Sequence, residues 1–182
     1  MTFHGVYILL ELCCKLLNFN NINQTDAQKN HMPAVDIDQL IPHRDRMKLI
    51  GSILEISNDL AVTSAIVSDT WPLCSGASVS SIALIEVAAQ TAGVLSCWKK
   101  GENRSAFIAG MLTGIKSADF FIDEVPLHAE LTTTATTMYG LEDYEAMEVT
   151  VMLGQQCLCK VQLQILGLRS KEIQDSGFKI QD

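Results

Sequence analysis

The sequence predicts an α+β fold, with one long helix buried against an antiparallel sheet. Three observations carry this reading. Residues 79–98 place apolar side chains on every side of a helical wheel. An all-round apolar helix is buried in protein or in a membrane. Two strand-like stretches precede it, four follow it, and no internal repeat or linker divides them. A lone helix between runs of strands is an α+β order.

Taken in order, residues 35–40 read as a short acidic helical turn, and Pro42 disfavours helix at Ile41. Residues 47–57 read as a strand with a break near Gly51-Ser52. Asn58-Asp59 marks a hairpin turn. Residues 60–67 alternate, with Leu60, Val62, Ser64 and Ile66 on one face, which makes a second, antiparallel strand. Residues 69–78, with Trp71, Pro72 and Gly76, read as an irregular loop. Ser78 can then cap the long helix, and Lys99-Lys100-Gly101 suits its C-terminal end. At about 30 Å that helix is long enough to span a bilayer. Ser80, Ser81, Glu86, Gln90, Ser96 and Cys97 make lipid a poor host, so burial in a sheet is expected. Strands are expected at 106–116, 127–138, 145–153 and 157–168, favoured by the threonines at 132–134 and 136–137. Tyr139-Gly140 and Gly154-Gln155 mark turns, while Gly110 and Gly114 weaken their strand or admit a close neighbour.

The domain is expected over residues 32–168. Met32 reads as a natural start, which leaves residues 1–31 as a start-site artefact or loose tail. The alternative is an amphipathic helix at 6–17 that docks on the domain. The polar residues 169–182 are expected to be loose.

The chain has 182 residues, 48% of them hydrophobic, and a net charge of −8. That is core enough for one domain. Without a basic footprint, nucleic acid is excluded as a partner, and binding to anionic membranes is disfavoured. The six cysteines, at 13, 14, 74, 97, 157 and 159, show no C-x-x-C spacing. They read as buried thiols suited to a reducing cytoplasm. Neither a metal cluster nor a Gly-rich phosphate loop is visible.

Glu86 is the most informative residue. It is the only acidic or basic side chain between Ser78 and Lys99. A carboxylate among apolar groups is costly unless paired or protonated. As a neutral acid it would donate a proton to a leaving group. As a structural anion it would pair with Arg44 or Arg46. Gln90, one turn on, is placed to orient it. His43 is the candidate base. His4 and His31 lie in the doubtful tail, and His128 sits near Val125-Pro126 on a strand edge. Ser80 and Ser81 either cap the helix or lend their backbone N–H groups to a carbonyl oxygen. No G-x-S-x-G elbow is present, so a serine nucleophile is not expected.

Leu40-Ile41-Pro42-His43-Arg44, followed by Met47-Lys48-Leu49-Ile50, resembles the L-P-H-R opening of the β-hydroxyacyl-acyl carrier protein dehydratases. Ile85-Glu86-Val87-Ala88-Ala89-Gln90 resembles their I-E-x-x-A-Q helix segment, and Val125-Pro126 before Leu131 resembles a decayed V-x-P-G-D-x-L. The resemblance covers about residues 35–168. It implies a hotdog fold, a central helix wrapped by a curved sheet, in a dimer with tunnels at the subunit interface. It implies a 3-hydroxyacyl thioester substrate on the phosphopantetheine of an acyl carrier protein, with no other cofactor. It also implies a histidine base, a helix acid, and a thioester carbonyl held at the helix N-terminus.

The chain departs from the better-known members in two places. Residues 71–76 lack their loop H-F-P histidine, and Ser80-Ser81 replaces P-G. It is more similar to the dehydratases of aryl-polyene pigment clusters, which keep the P-H pair and the helix glutamate. In that reading His43 is the base and Glu86 the acid. Two further readings remain: an acyl thioesterase, and a non-catalytic or half-active subunit completing a related partner. Carrier docking would use Lys99, Lys100 and Arg104, or Arg44, Arg46 and Lys48.

Overall fold

The computed structural model describes residues 36–102, 107–141 and 143–169. The expectations for residues 1–31, for Arg104 and for the tail beyond Arg169 lie outside these residues.

A short helix α1 (Ile37–Leu40) is capped by the Asp36 carboxylate, which accepts a hydrogen bond from the Asp38 N–H. A 3-10 turn at Asp45–Met47 follows. Strands β1 (Ser52–Ile56) and β2 (Leu60–Ile66) form the expected hairpin. Strands β3 (Cys74–Ser75) and β4 (Ser78–Ser80) precede the long helix α2 (Ala83–Glu102). Strands β5 (Phe107–Phe120), β6 (Glu124–Pro126), β7 (Glu130–Leu141), β8 (Tyr144–Leu153) and β9 (Gln156–Arg169) complete the chain.

Six strands make one antiparallel sheet in the order β1-β2-β7-β8-β9-β5. Helix α2 packs chiefly on β7, β2 and β8. The face toward the helix follows from register. Ala61 lies opposite Ala135, Thr63 opposite Thr133, and Ala65 opposite Leu131; Val149 continues the row from Ala135 to Val161. All of these are buried. The predicted alternation of β2 holds, but its small residues rather than Leu60, Val62 and Ile66 face the core. Ala88 and Ala92 on the helix are also fully buried, so small residues meet small residues and the layers pack closely. Val87, Val94 and Leu95 have no exposure, as the all-round apolar helix requires.

The segment expected to be an irregular loop supplies β3 and the start of β4 to a second sheet, β3-β4-β6. This corrects the start of the helix. Ser78–Ser80 pair with Glu124–Pro126, so they are extended and Ser78 caps nothing. The first helical turn instead forms at the carbonyls of Ser81 and Ile82, which accept from Leu84 and Ile85 N–H. At the other end the helix continues past Lys99-Lys100 to Glu102.

Gly114 has the close neighbour expected for it: a Cβ there would lie 2.9 Å from Gln164 Oε1. The cysteines need one correction. Cys74, Cys157 and Cys159 are free, but Cys97 is disulfide-bonded and not a lone buried thiol. Among the described residues no helix is long and apolar enough to cross a membrane. Nor do any three His, Cys, Asp or Glu side chains there form a group able to hold a metal ion.

Candidate active site

Glu86 stands in the first turn of α2, where the helix dipole favours negative charge. It is 9% exposed. Its partner is not Arg44 or Arg46 but His43: His43 Nε2 lies 3.1 Å from Glu86 Oε1, with both side chains largely enclosed. Residues 43 positions apart in sequence are thus brought within proton-transfer distance. The His43 Nδ1 atom is buried and has no hydrogen-bond partner, so the ring meets its surroundings through Nε2.

Gln90 organises this pair. It is fully buried, and its amide nitrogen donates to Glu86 Oε1 at 2.8 Å and to the Met47 carbonyl at 2.7 Å. Its oxygen accepts from Leu49 N–H at 3.0 Å and Ile50 N–H at 3.4 Å. Every donor and acceptor of the amide is used. One side chain therefore fixes the carboxylate on the helix and the backbone just beyond His43. The expectation that Gln90 orients Glu86 is half of what it does; the tie to residues 47–50 carries no mark in sequence. With Oε1 engaged by Gln90 and beside His43, Glu86 Oε2 is the oxygen left to meet a ligand.

Ser80 and Ser81 are near the site but cannot serve as carbonyl-binding donors. The Ser80 N–H donates to Leu73 O and the Ser81 N–H to Asp123 O, because both residues are held in or against the small sheet. Among the described backbone hydrogen bonds none engages the N–H of Ile82 or Ala83, the first donors of the helix end. Ile82 is 55% exposed and Ala83 is buried, so this end is open on the Ile82 side. Spacing alone missed these two because the helix starts later than its capping signal suggested.

His128 lies apart, on an exposed turn at φ 65°. Three of the six cations expected to serve docking, Lys99, Lys48 and Arg44, are engaged locally. Lys99 pairs with Glu145 at 2.8 Å. Lys48 donates to Asp38 at 2.6 Å, which together with Arg44 holds the Asp38 carboxyl below its usual range. Arg44 is bound to backbone carbonyls.

The ApeP dehydratase family model matches residues 35–175. The chain belongs to the ApeP-like dehydratases. No curated protein sequence matches it. Its fold is similar to that of the dehydratase heterocomplex ApeI:P from Xenorhabdus doucetiae, at TM-score 0.69 and 20% identity, over 80% of this chain and 99% of that one. It is also similar to a hypothetical thioesterase with coenzyme A from Streptococcus pneumoniae, at TM-score 0.54 and 13% identity, over 65% of this chain and 85% of that one. The PaaI protein of E. coli matches at TM-score 0.52 and 14% identity, over 63% and 81%. At these identities the likeness establishes the hotdog fold. This ApeP-like chain thus has the expected architecture.

Proposed function

We propose that this chain removes water from a 3-hydroxyacyl thioester, giving the trans-2-enoyl thioester, with His43 as base and Glu86 as acid. The observation that carries the reading is the enclosed contact between His43 Nε2 and Glu86 Oε1. In this mechanism Nε2 takes a proton from the carbon next to the thioester. The electron pair forms the new double bond and the C3–O bond breaks. The Glu86 proton, on Oε2, goes to the departing hydroxyl, which leaves as water. His43 then holds one proton more and Glu86 one fewer. Their separation of 3.1 Å lets the proton return and resets the pair. The N–H groups of Ile82 and Ala83, at the positive end of α2, polarise the thioester carbonyl in place of Ser80 and Ser81.

The substrate is carried on the phosphopantetheine of an acyl carrier protein, and the pathway is fatty-acid or aryl-polyene synthesis in the cytoplasm. These assignments rest on the family. A related hotdog subunit, identical or not, pairs along β5. Among the described residues that 14-residue strand bonds only β9, and exposed Ile115 and Phe120 lie on it. A long, unpaired apolar edge calls for a covering partner. The heteromeric relative from Xenorhabdus supports a mixed dimer, in which this chain is one half of the catalyst.

The test is turnover of 3-hydroxyacyl-carrier protein by wild type, Glu86→Gln and His43→Ala, each alone and mixed with a co-encoded hotdog subunit. Each substitution should lower enoyl formation at least about a hundredfold. Free thiol without enoyl product would mean thioester hydrolysis. Full activity in His43→Ala would remove that residue from the mechanism.

A further inference from the structure

Arg44 has neither of the two roles the sequence offered. It does not pair with Glu86, and its guanidinium is not a free docking charge. Nη1 donates to Ile41 O at 2.8 Å and to His43 O at 2.7 Å, and Nη2 donates to Asp38 O at 2.8 Å. The Asp38 carboxylate stands 3.9 Å from Nη1.

Three carbonyl oxygens that converge on one point repel one another unless a cation joins them. The planar guanidinium fork fits this geometry, and a charged donor makes stronger hydrogen bonds than a neutral one. The segment it closes is the one that presents the imidazole. Pro42 fixes the backbone before His43, and Asp45 after it takes a left-handed conformation at φ 51°, uncommon for a residue other than glycine. Beyond this, Gln90 anchors Met47, Leu49 and Ile50. No hydrogen bond reaches His43 Nδ1, so the ring is not tethered from behind. Its position is set by the backbone, and that backbone is held on its upstream side by Arg44.

We infer that Arg44 is a positioning residue: it ties three carbonyls around His43 and thereby holds Nε2 against Glu86. Its kinetic consequence rests on the dehydratase reading above; its structural consequence does not.

The experiment uses the full chain as wild type, Arg44→Gln and Arg44→Lys, with the His43 and His128 signals assigned by His43→Ala and His128→Ala. The first readout is the imidazole nitrogen spectrum of His43 at one fixed pH. In Arg44→Gln it should move toward that of exposed His128. Lysine should not restore it, since one ammonium does not span the three oxygens. The second readout is kcat and KM, on a carrier-borne 3-hydroxyacyl substrate and on the same acyl group as a small pantetheine thioester. Arg44→Gln should lower kcat about ten- to a hundredfold on both, the scale expected for a slightly misplaced group, with KM within about twofold. If Arg44→Gln does not fold, Arg44→Lys decides by the same readouts. An unchanged His43 spectrum overturns the inference. So does a loss confined to KM for the carrier-borne substrate, which would make Arg44 a docking residue. If wild type shows no dehydration, the spectrum still tests Arg44 and only the dehydratase reading fails.

Discussion

Gln90 joins what would otherwise be two independent parts, a helix acid and the segment behind a loop histidine. Replacing it with leucine leaves the buried Leu49 and Ile50 N–H groups, and the part-buried Met47 carbonyl, without partners. Orphaned buried groups cost roughly 1–3 kcal/mol each, so Gln90→Leu should lose about 3 kcal/mol or more in urea unfolding. Asp38 gives a pH signature. Its carboxyl is held low first by the Lys48 hydrogen bond, so its stabilising contribution is present above the usual carboxylate range and disappears as pH falls through the depressed value. The pair is solvated, so Asp38→Asn should cost under about 1 kcal/mol at pH 7 and nothing measurable in strong acid. Cys159 behaves in the opposite sense. Burial raises its thiol to about 12, with Cys157 and Asp119 adding to the effect. The native protein at pH 8 should therefore leave Cys159 unmodified by a thiol reagent while the less buried Cys74 reacts; early loss of Cys159 would contradict its enclosure.

At the scale of elements, the two sheet edges differ. β1 is a five-residue strand with a register shift between Ile53 and Glu55, features that blunt an edge. β5 is long, and its own register shifts are at Phe107/Ala109, Leu112/Gly114 and Ile115/Ser117. If β5 is the pairing edge, Ile115→Lys should shift the protein toward monomer in sedimentation while its circular dichroism stays the same. The helix was legible from its length and all-round apolar character, and the long strands from alternation, threonines and flanking turn signals. The short strands β3, β4 and β6 were not. At two or three residues each they leave no period to detect, and they exist only because residues 78–80 find residues 124–126. That tertiary pairing displaced the helix start, and with it the donors assigned to Ser80 and Ser81.

At the scale of the whole molecule, the sheet joins strands distant in sequence: β2 pairs with β7, and β5 with β9. Such long-range closure slows folding, so refolding should take milliseconds to seconds in stopped-flow measurements. The same long-range closure explains what the sequence concealed. Glu86 was legible because an acid in an apolar helix is conspicuous; its meeting with His43 was not, because only the folded chain joins them. The close contact of α2 with β2 and β7 has one further consequence. Ala88 and Ala92 lie over strands whose inward residues include Ala61, Thr63 and Ala135, all fully enclosed. That layer is already filled with side chains, so a fatty tail has no berth beneath the helix of a single copy. On the dehydratase reading proposed above, an acyl chain would therefore run outside the layer between helix and sheet.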